Sequence, residues 1–123
     1  MVLDITSDLG VPTVMAISWR QIDGGGIHLG LGCHLEARLA ISRALAELNQ
    51  GAVDEFGDKD PASLEGFDID HARWLREATI ENQPYLRPAD GPRRVAADFT
   101  NEATRDVRDD LLISIEKLRA KGL

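Results

Sequence analysis

The sequence predicts an α+β fold in which an antiparallel β-hairpin packs against two main α-helices. Three observations carry this expectation. Residues 11–19 (VPTVMAISW) are apolar and rich in β-branched side chains, the composition of a mostly buried strand. Gly24, Gly25 and Gly26 then mark a turn, and residues 27–33 (IHLGLGC) read as a second strand able to pair back on the first. Directly after it, residues 36–50 (EARLAISRALAELNQ) have the 3.6-residue periodicity of an amphipathic helix.

Within the first strand, Pro12 stands near the start, where a missing N–H is tolerated. Gly30 and Gly32 lie two apart and so share one face of the second strand. Their bare face allows another backbone or a ligand to come close. In the helix, Ala37, Ile41, Ala44, Leu45 and Leu48 form the expected buried stripe, and Gly51 stands where a C-cap is wanted. Residues 52–67 read as an acidic loop and 82–94 as an irregular segment, punctuated by proline and glycine. Between them, residues 68–80 suggest a short helix with Ile69, Ala72, Trp74 and Leu75 for burial. Residues 95–99 suggest a short strand. A last helix is expected over 101–120, with Val107, Leu111, Ile115 and Leu118 as its buried stripe.

The 123 residues fit one domain, and 43% hydrophobic with 28% charged residues is ordinary globular composition. A net charge of −7 disfavours a nucleic-acid partner, since Arg93, Arg94 and the basic residues of the last helix stand among carboxylates. No apolar run approaches the roughly 20 residues that span a bilayer, and the N-terminal stretch lacks a basic signal-peptide region. One cysteine, Cys33, cannot form an internal disulfide, which points to a reducing cytoplasm.

Four polar residues, Glu36, Arg43, Glu47 and Gln50, fall on a second helical face. Carboxylate and amide oxygens are hard ligands suited to Mg²⁺ held with nucleotide phosphates, and arginine suits phosphate oxygens. The same spacing also decorates ordinary solvated helices. His28, Cys33 and His34 are metal-ligand types, but strand alternation points Cys33 away from both histidines, and no fourth ligand lies nearby. A buried Cys33 with partly buried histidines is the expectation there. Asp4, Thr6, Ser7 and Asp8 have the composition of a turn. The glycines at 24–26, 30 and 32 lack the Gly-Lys-Ser/Thr ending and following helix of a phosphate-binding P-loop.

Three words in the chain resemble the YcaO family: residues 4–12 (DITSDLGVP), 30–34 (GLGCH) and 39–50 (LAISRALAELNQ). Family members show a D-L-T-x-D-x-G-I-P strand entry, a G-x-G-x-H strand and an A-x-x-R-A-L-x-E-x-x-Q helix. The resemblance covers most of the chain. It implies an ATP- and Mg²⁺-dependent enzyme that activates peptide backbone amides, giving azolines in peptide modification such as bacteriocin biosynthesis. It further implies that Glu47 is a metal-coordinating carboxylate and that Arg43 and Gln50 neighbour it in the nucleotide pocket. A precursor peptide and a partner protein of the modification complex are the implied partners. The family's earlier serine and E-x-x-E-R motif is absent, as are its downstream strand and proline-rich C-terminus. Residues 1–123 are therefore expected to form a single partial domain, inactive in isolation. A non-catalytic docking scaffold and a homo-oligomeric structural remnant are the alternatives.

Overall fold

A computed structural model describes residues 1–21, 25–56 and 68–123. Strands β1 (Val2–Asp4), β2 (Thr13–Ser18) and β3 (His28–Cys33) form an antiparallel sheet in the order β1-β2-β3. Helices α1 (Ala37–Phe56), α2 (Ile69–Glu77) and α3 (Val107–Ala120) follow. The predicted hairpin is β2–β3, and its connection is drawn together by the Arg20 N–H donating to the Gly25 carbonyl at 2.8 Å. Gly26 takes a positive φ of 60° there, a conformation that suits glycine. Residues 22–24 of the predicted turn lie outside the described residues.

The sheet has two distinct faces because side chains alternate along each strand. In register across β2 and β3, Val14 pairs with Gly32 and Ala16 with Gly30. This face meets the small side of α1, and Val14, Ala16, Ala40, Ala44 and Leu48 form one buried cluster. The glycines determine how deep the helix sits. A Cβ built on Gly32 would overlap the Ala40 carbonyl oxygen and come within 2.6 Å of the Ala44 nitrogen. One built on Gly30 would overlap the Ala44 carbonyl oxygen and approach the Leu48 Cα to 2.8 Å. The helix backbone thus rests directly on the strand backbone, as the bare glycine face allows.

The opposite face carries a second cluster. Ile17, Ile27, Ala78 and Leu86 are buried, with Leu3, Met15, Trp19, Trp74 and Ile80 packed around them. Trp74 anchors α2 to the hairpin through its indole N–H, which donates to the Ile27 carbonyl at 3.0 Å. Asp68 caps α2 by accepting from the Asp70 and His71 amides, both at 3.0 Å.

Several expectations are corrected. Helix α1 does not stop at Gly51 but continues to Phe56, because a single glycine is tolerated inside a helix whose packing is set by its earlier turns. Residues 52–56 of the expected acidic loop are therefore helical, while 57–67 lie outside the described residues. Leu45 is exposed, and Ala40 takes its place in the stripe. Ile69 is exposed rather than buried, since it opens α2 on the solvent side. Asp4 ends a third strand, and its carboxylate also opens the expected turn by accepting from the Thr6 amide at 3.0 Å; the residues after it turn back, with Gly10 N–H donating to the Ser7 carbonyl at 3.0 Å. Residues 95–99 form no strand. A 3₁₀ turn over Ala96–Asp98 replaces it, held by the Val95 amide donating to the Asp98 carboxylate at 2.7 Å. Residues 82–94 contain a 3₁₀ turn at Pro84–Leu86 and no other helix or strand.

The last helix differs most. It begins at Val107, with Asp106 accepting from the Arg108 amide at 2.8 Å, and none of its residues is buried. Val107 is 84% exposed and Leu111 58%. Ion pairs hold this helix at the rim: Lys117 to Glu102 at 2.7 Å and Lys121 to Asp8 at 3.2 Å. Its apolar stripe is present, as the spacing predicts, but Val107, Leu111 and Leu118 stay exposed and only Ile115 is half-buried.

Two predictions follow from this packing. Gly32→Ala is expected to lower unfolding stability in urea by about 3 kcal/mol or more, the upper range for an overpacked core. Gly51→Ala, with no described atom within 4 Å of the added carbon, should raise it by roughly 0.5–1 kcal/mol. Acid is expected to loosen the helix starts. Backbone hydrogen bonds, that from His71 foremost, hold the Asp68 carboxyl below its ordinary 3.8. The Thr104 amide does the same for Asp110. Lowered folded values mean that their stabilisation is complete above the ordinary value and is lost as pH falls through the folded ones. Far-UV circular dichroism should show a loss of helix below about pH 4 in the native baseline, and Asp68→Asn should reduce the part that belongs to α2.

Candidate functional site

The free edge of β3 and the adjacent flank of α1 form the candidate site. Strand alternation explains the arrangement. With Gly30 and Gly32 turned to the helix, the backbone groups of Leu31 and Cys33 point away from β2, into the open edge. Two side chains of α1, one turn apart, reach them. Glu47 Oε2 accepts from the Leu31 N–H at 2.8 Å, and Arg43 Nη1 donates to the Cys33 carbonyl at 3.3 Å. A carboxylate and a guanidinium thus stand in for the acceptor and donor of a fourth strand. Among the described residues, Glu47 Oε1 has no hydrogen-bond partner.

Of the four residues on the predicted polar face, the structure brings Arg43, Glu47 and Gln50 within a few turns on the exposed side of α1. Glu36 is separated from them. It precedes the helix, its carbonyl accepts from Leu39 and Ala40 at 3.1 Å, and its own N–H donates to His34 Nδ1 at 2.9 Å. Eleven residues at 1.5 Å each place it about 16 Å along the axis from Glu47, too far to share a cation.

The residue types fit a nucleotide-held cation. Mg²⁺ commonly takes one or two carboxylates, with phosphate oxygens and waters completing its shell. Glu47 offers one carboxylate with an unshared oxygen, Arg43 a fixed positive charge, and Gln50 a neutral oxygen one turn on. No group of three or more His, Cys, Asp or Glu among the described residues is arranged as a metal site of its own. His28, Cys33 and His34 accordingly form no such centre. His28 is buried beneath α1. Cys33 is exposed, not buried, because its odd register turns it away from α1, at the end of β3 that the second cluster does not cover, and Thr13 donates to its sulfur at 3.3 Å. His34 is half-buried and braces the start of α1.

The sequence reading missed the two backbone groups, the Leu31 N–H and the Cys33 carbonyl, because residue type does not reveal them. The signal available was the glycine alternation, which places the odd residues' backbone at the edge.

The three-stranded antiparallel sheet with α1 seated on its glycine face is the architecture of an α+β protein segment. The chain belongs to the YcaO family: the family model described as YcaO cyclodehydratase, ATP- and Mg²⁺-binding, matches residues 1–123. An uncharacterized protein of Methanothermobacter thermautotrophicus is 28% identical over 124 residues, covering 98% of this chain and 32% of that protein. The solved structure of the heterocyclase TruD is 32% identical and superimposes with a TM-score of 0.81, covering 99% of this chain and 16% of that one. A heterocyclase in complex with substrate and cofactor gives 31% identity, the same TM-score and the same coverages. This chain thus spans about a third of the archaeal relative and about a sixth of each heterocyclase. The α+β architecture expected from the sequence is that of a portion of a heterocyclase. No helix among the described residues is long and apolar enough to cross a membrane.

Glu47→Ala should speed hydrogen exchange of the Leu31 amide by roughly tenfold, the size of one lost charge-assisted bond. Glu47→Gln, which keeps an acceptor, should leave most of the protection. Amide exchange followed by NMR reads both, and equal rates in the wild type and the alanine variant would contradict the contact.

Proposed function

We propose that this chain supplies one wall of a Mg-ATP site in a YcaO-type protein that activates peptide backbone amides for azoline formation. The observation that carries the reading is the Arg43–Glu47 pair, exposed side by side with one carboxylate oxygen already held by the Leu31 amide. That bond fixes the carboxylate's orientation before any ligand arrives, and pre-orientation of ligands is what a metal site requires. Bound Mg-ATP supplies a phosphoryl group that turns an amide oxygen into a phosphate leaving group. Glu47 holds the cation, Arg43 balances phosphate charge, and Gln50 adds a hydrogen-bonding amide beside them. Taken alone, the chain carries only this wall and turns over no ATP. The substrate is a precursor peptide, the setting is the cytoplasm, and a partner protein of the modification complex presents the peptide.

Titration of the chain with Mg·ATP, followed by amide chemical shifts, tests this. Shifts are expected at Arg43, Glu47, Gln50 and Leu31. Glu47→Gln should weaken the Mg²⁺-dependent part about tenfold, the effect of a carboxylate ligand's charge. Shifts that ignore Glu47, or that arise without Mg²⁺ to the same extent, would sink the assignment.

A docking-scaffold reading is favoured by the open edge of β1, and it differs in requiring peptide binding with no nucleotide. The exposed Val107, Leu111 and Leu118 of α3 are the observation that favours self-association, which a well-behaved monomer in sedimentation would oppose.

A further inference from the structure

At the other end of the sheet, a cavity of about 620 Å³ lies between the edge of β1 and the segment bearing Pro88, Pro92, Arg93 and Arg94. Its volume is within the range of ligand sites. The register settles which groups of β1 face it. Met1 and Ile17 exchange hydrogen bonds at 2.8 and 2.9 Å, and the Ile5 N–H donates to the Thr13 carbonyl at 2.9 Å. Odd residues of β1 therefore bond to β2. The N–H and C=O of Val2 and Asp4 point the other way, into the cavity. No described residue bonds to these four groups.

Two residues of the facing wall, Pro88 and Pro92, carry no N–H, so that wall has fewer donors of its own to offer the β1 edge. It brings charge instead. Arg94 is committed: it pairs with Asp4 and lies over the Phe99 ring at 3.9 Å from the centroid. Arg93 has no ion-pair partner among the described residues. In a chain of net charge −7, an unneutralised arginine beside an open strand edge is a local exception to the surrounding field. It selects for an anionic group on whatever lies along β1.

We propose that this groove binds an extended peptide segment carrying an acidic side chain. The peptide main chain would add as a strand to β1 through Val2 and Asp4, over about 10 Å for three paired residues. Its carboxylate would take Arg93. The inference does not rest on the nucleotide reading, since β1 and Glu47 lie at different edges of the sheet.

The test uses the blocked peptide acetyl-Thr-Val-Glu-Val-Thr-amide with the whole chain, without nucleotide, at a protein concentration where sedimentation shows a monomer. The expected result is saturable shifts and slowed exchange at the Val2 and Asp4 amides. Arg93→Gln should weaken binding about tenfold, as should replacing the peptide's Glu by Gln, and the two losses should not add. A peptide N-methylated at alternate positions should lose binding. Binding should survive Glu47→Gln, so that failure of the nucleotide site cannot be mistaken for failure here. Three outcomes overturn the proposal: shifts centred on β3 instead, equal affinity for the N-methylated peptide, or β1 protection that depends on protein concentration and not on peptide. The last would mean that a second copy takes the edge.

Discussion

Close contact between two backbones, α1 on β3, is the constraint from which the rest of the structure follows. Gly30 and Gly32 present no side chain, and Ala40, Ala44 and the Leu48 backbone fill the space directly above them. Helix position relative to strand is therefore fixed by main-chain atoms, which cannot adjust their rotamers as side chains do. That fixed distance is short enough for Arg43 and Glu47 to reach round to the strand edge. Core and site are consequently one arrangement seen from two sides, and a disturbance of the first displaces the second.

Satisfying a strand edge with charged side chains also answers a general difficulty. An open edge invites pairing with other chains, and charged side chains at the edge are one way to discourage it. At β3 the edge is masked by a carboxylate and a guanidinium. At β1 the edge is only three residues long, and it opens onto a groove rather than onto bulk surface. The two edges of one sheet are thus treated differently.

Much of the central fold was legible in the sequence because its signals are local. The hairpin, the α1 periodicity and the bare glycine face all arise from residues within about 40 positions of one another, and their pairing needs no distant partner. Strand β1 escaped notice because Val2 to Asp4 is too short to show alternation, and its strand character comes from the neighbour it pairs with. Helix α3 shows the opposite limit. Its periodicity correctly gave a helix, but periodicity states only which residues could be buried together; whether a partner surface exists is a tertiary fact. Of the four polar residues singled out on the first long helix, Arg43, Glu47 and Gln50 stand close together, while Glu36 joined them only because angular position ignores distance along the axis. The backbone partners at β3 carry no residue signature at all.

The way α3 is attached has a consequence for motion. A helix joined to the body by two ion pairs at its rim, with no side chain in the core, contributes little to the cooperative unit formed by the sheet and α1. Surface ion pairs contribute little each and weaken with salt. The free energy needed to open α3 is set by these contacts and by its caps, well below that of the glycine-seated core. The chain therefore has two levels of stability, a glycine-seated core and a rim helix whose ion pairs salt would weaken first.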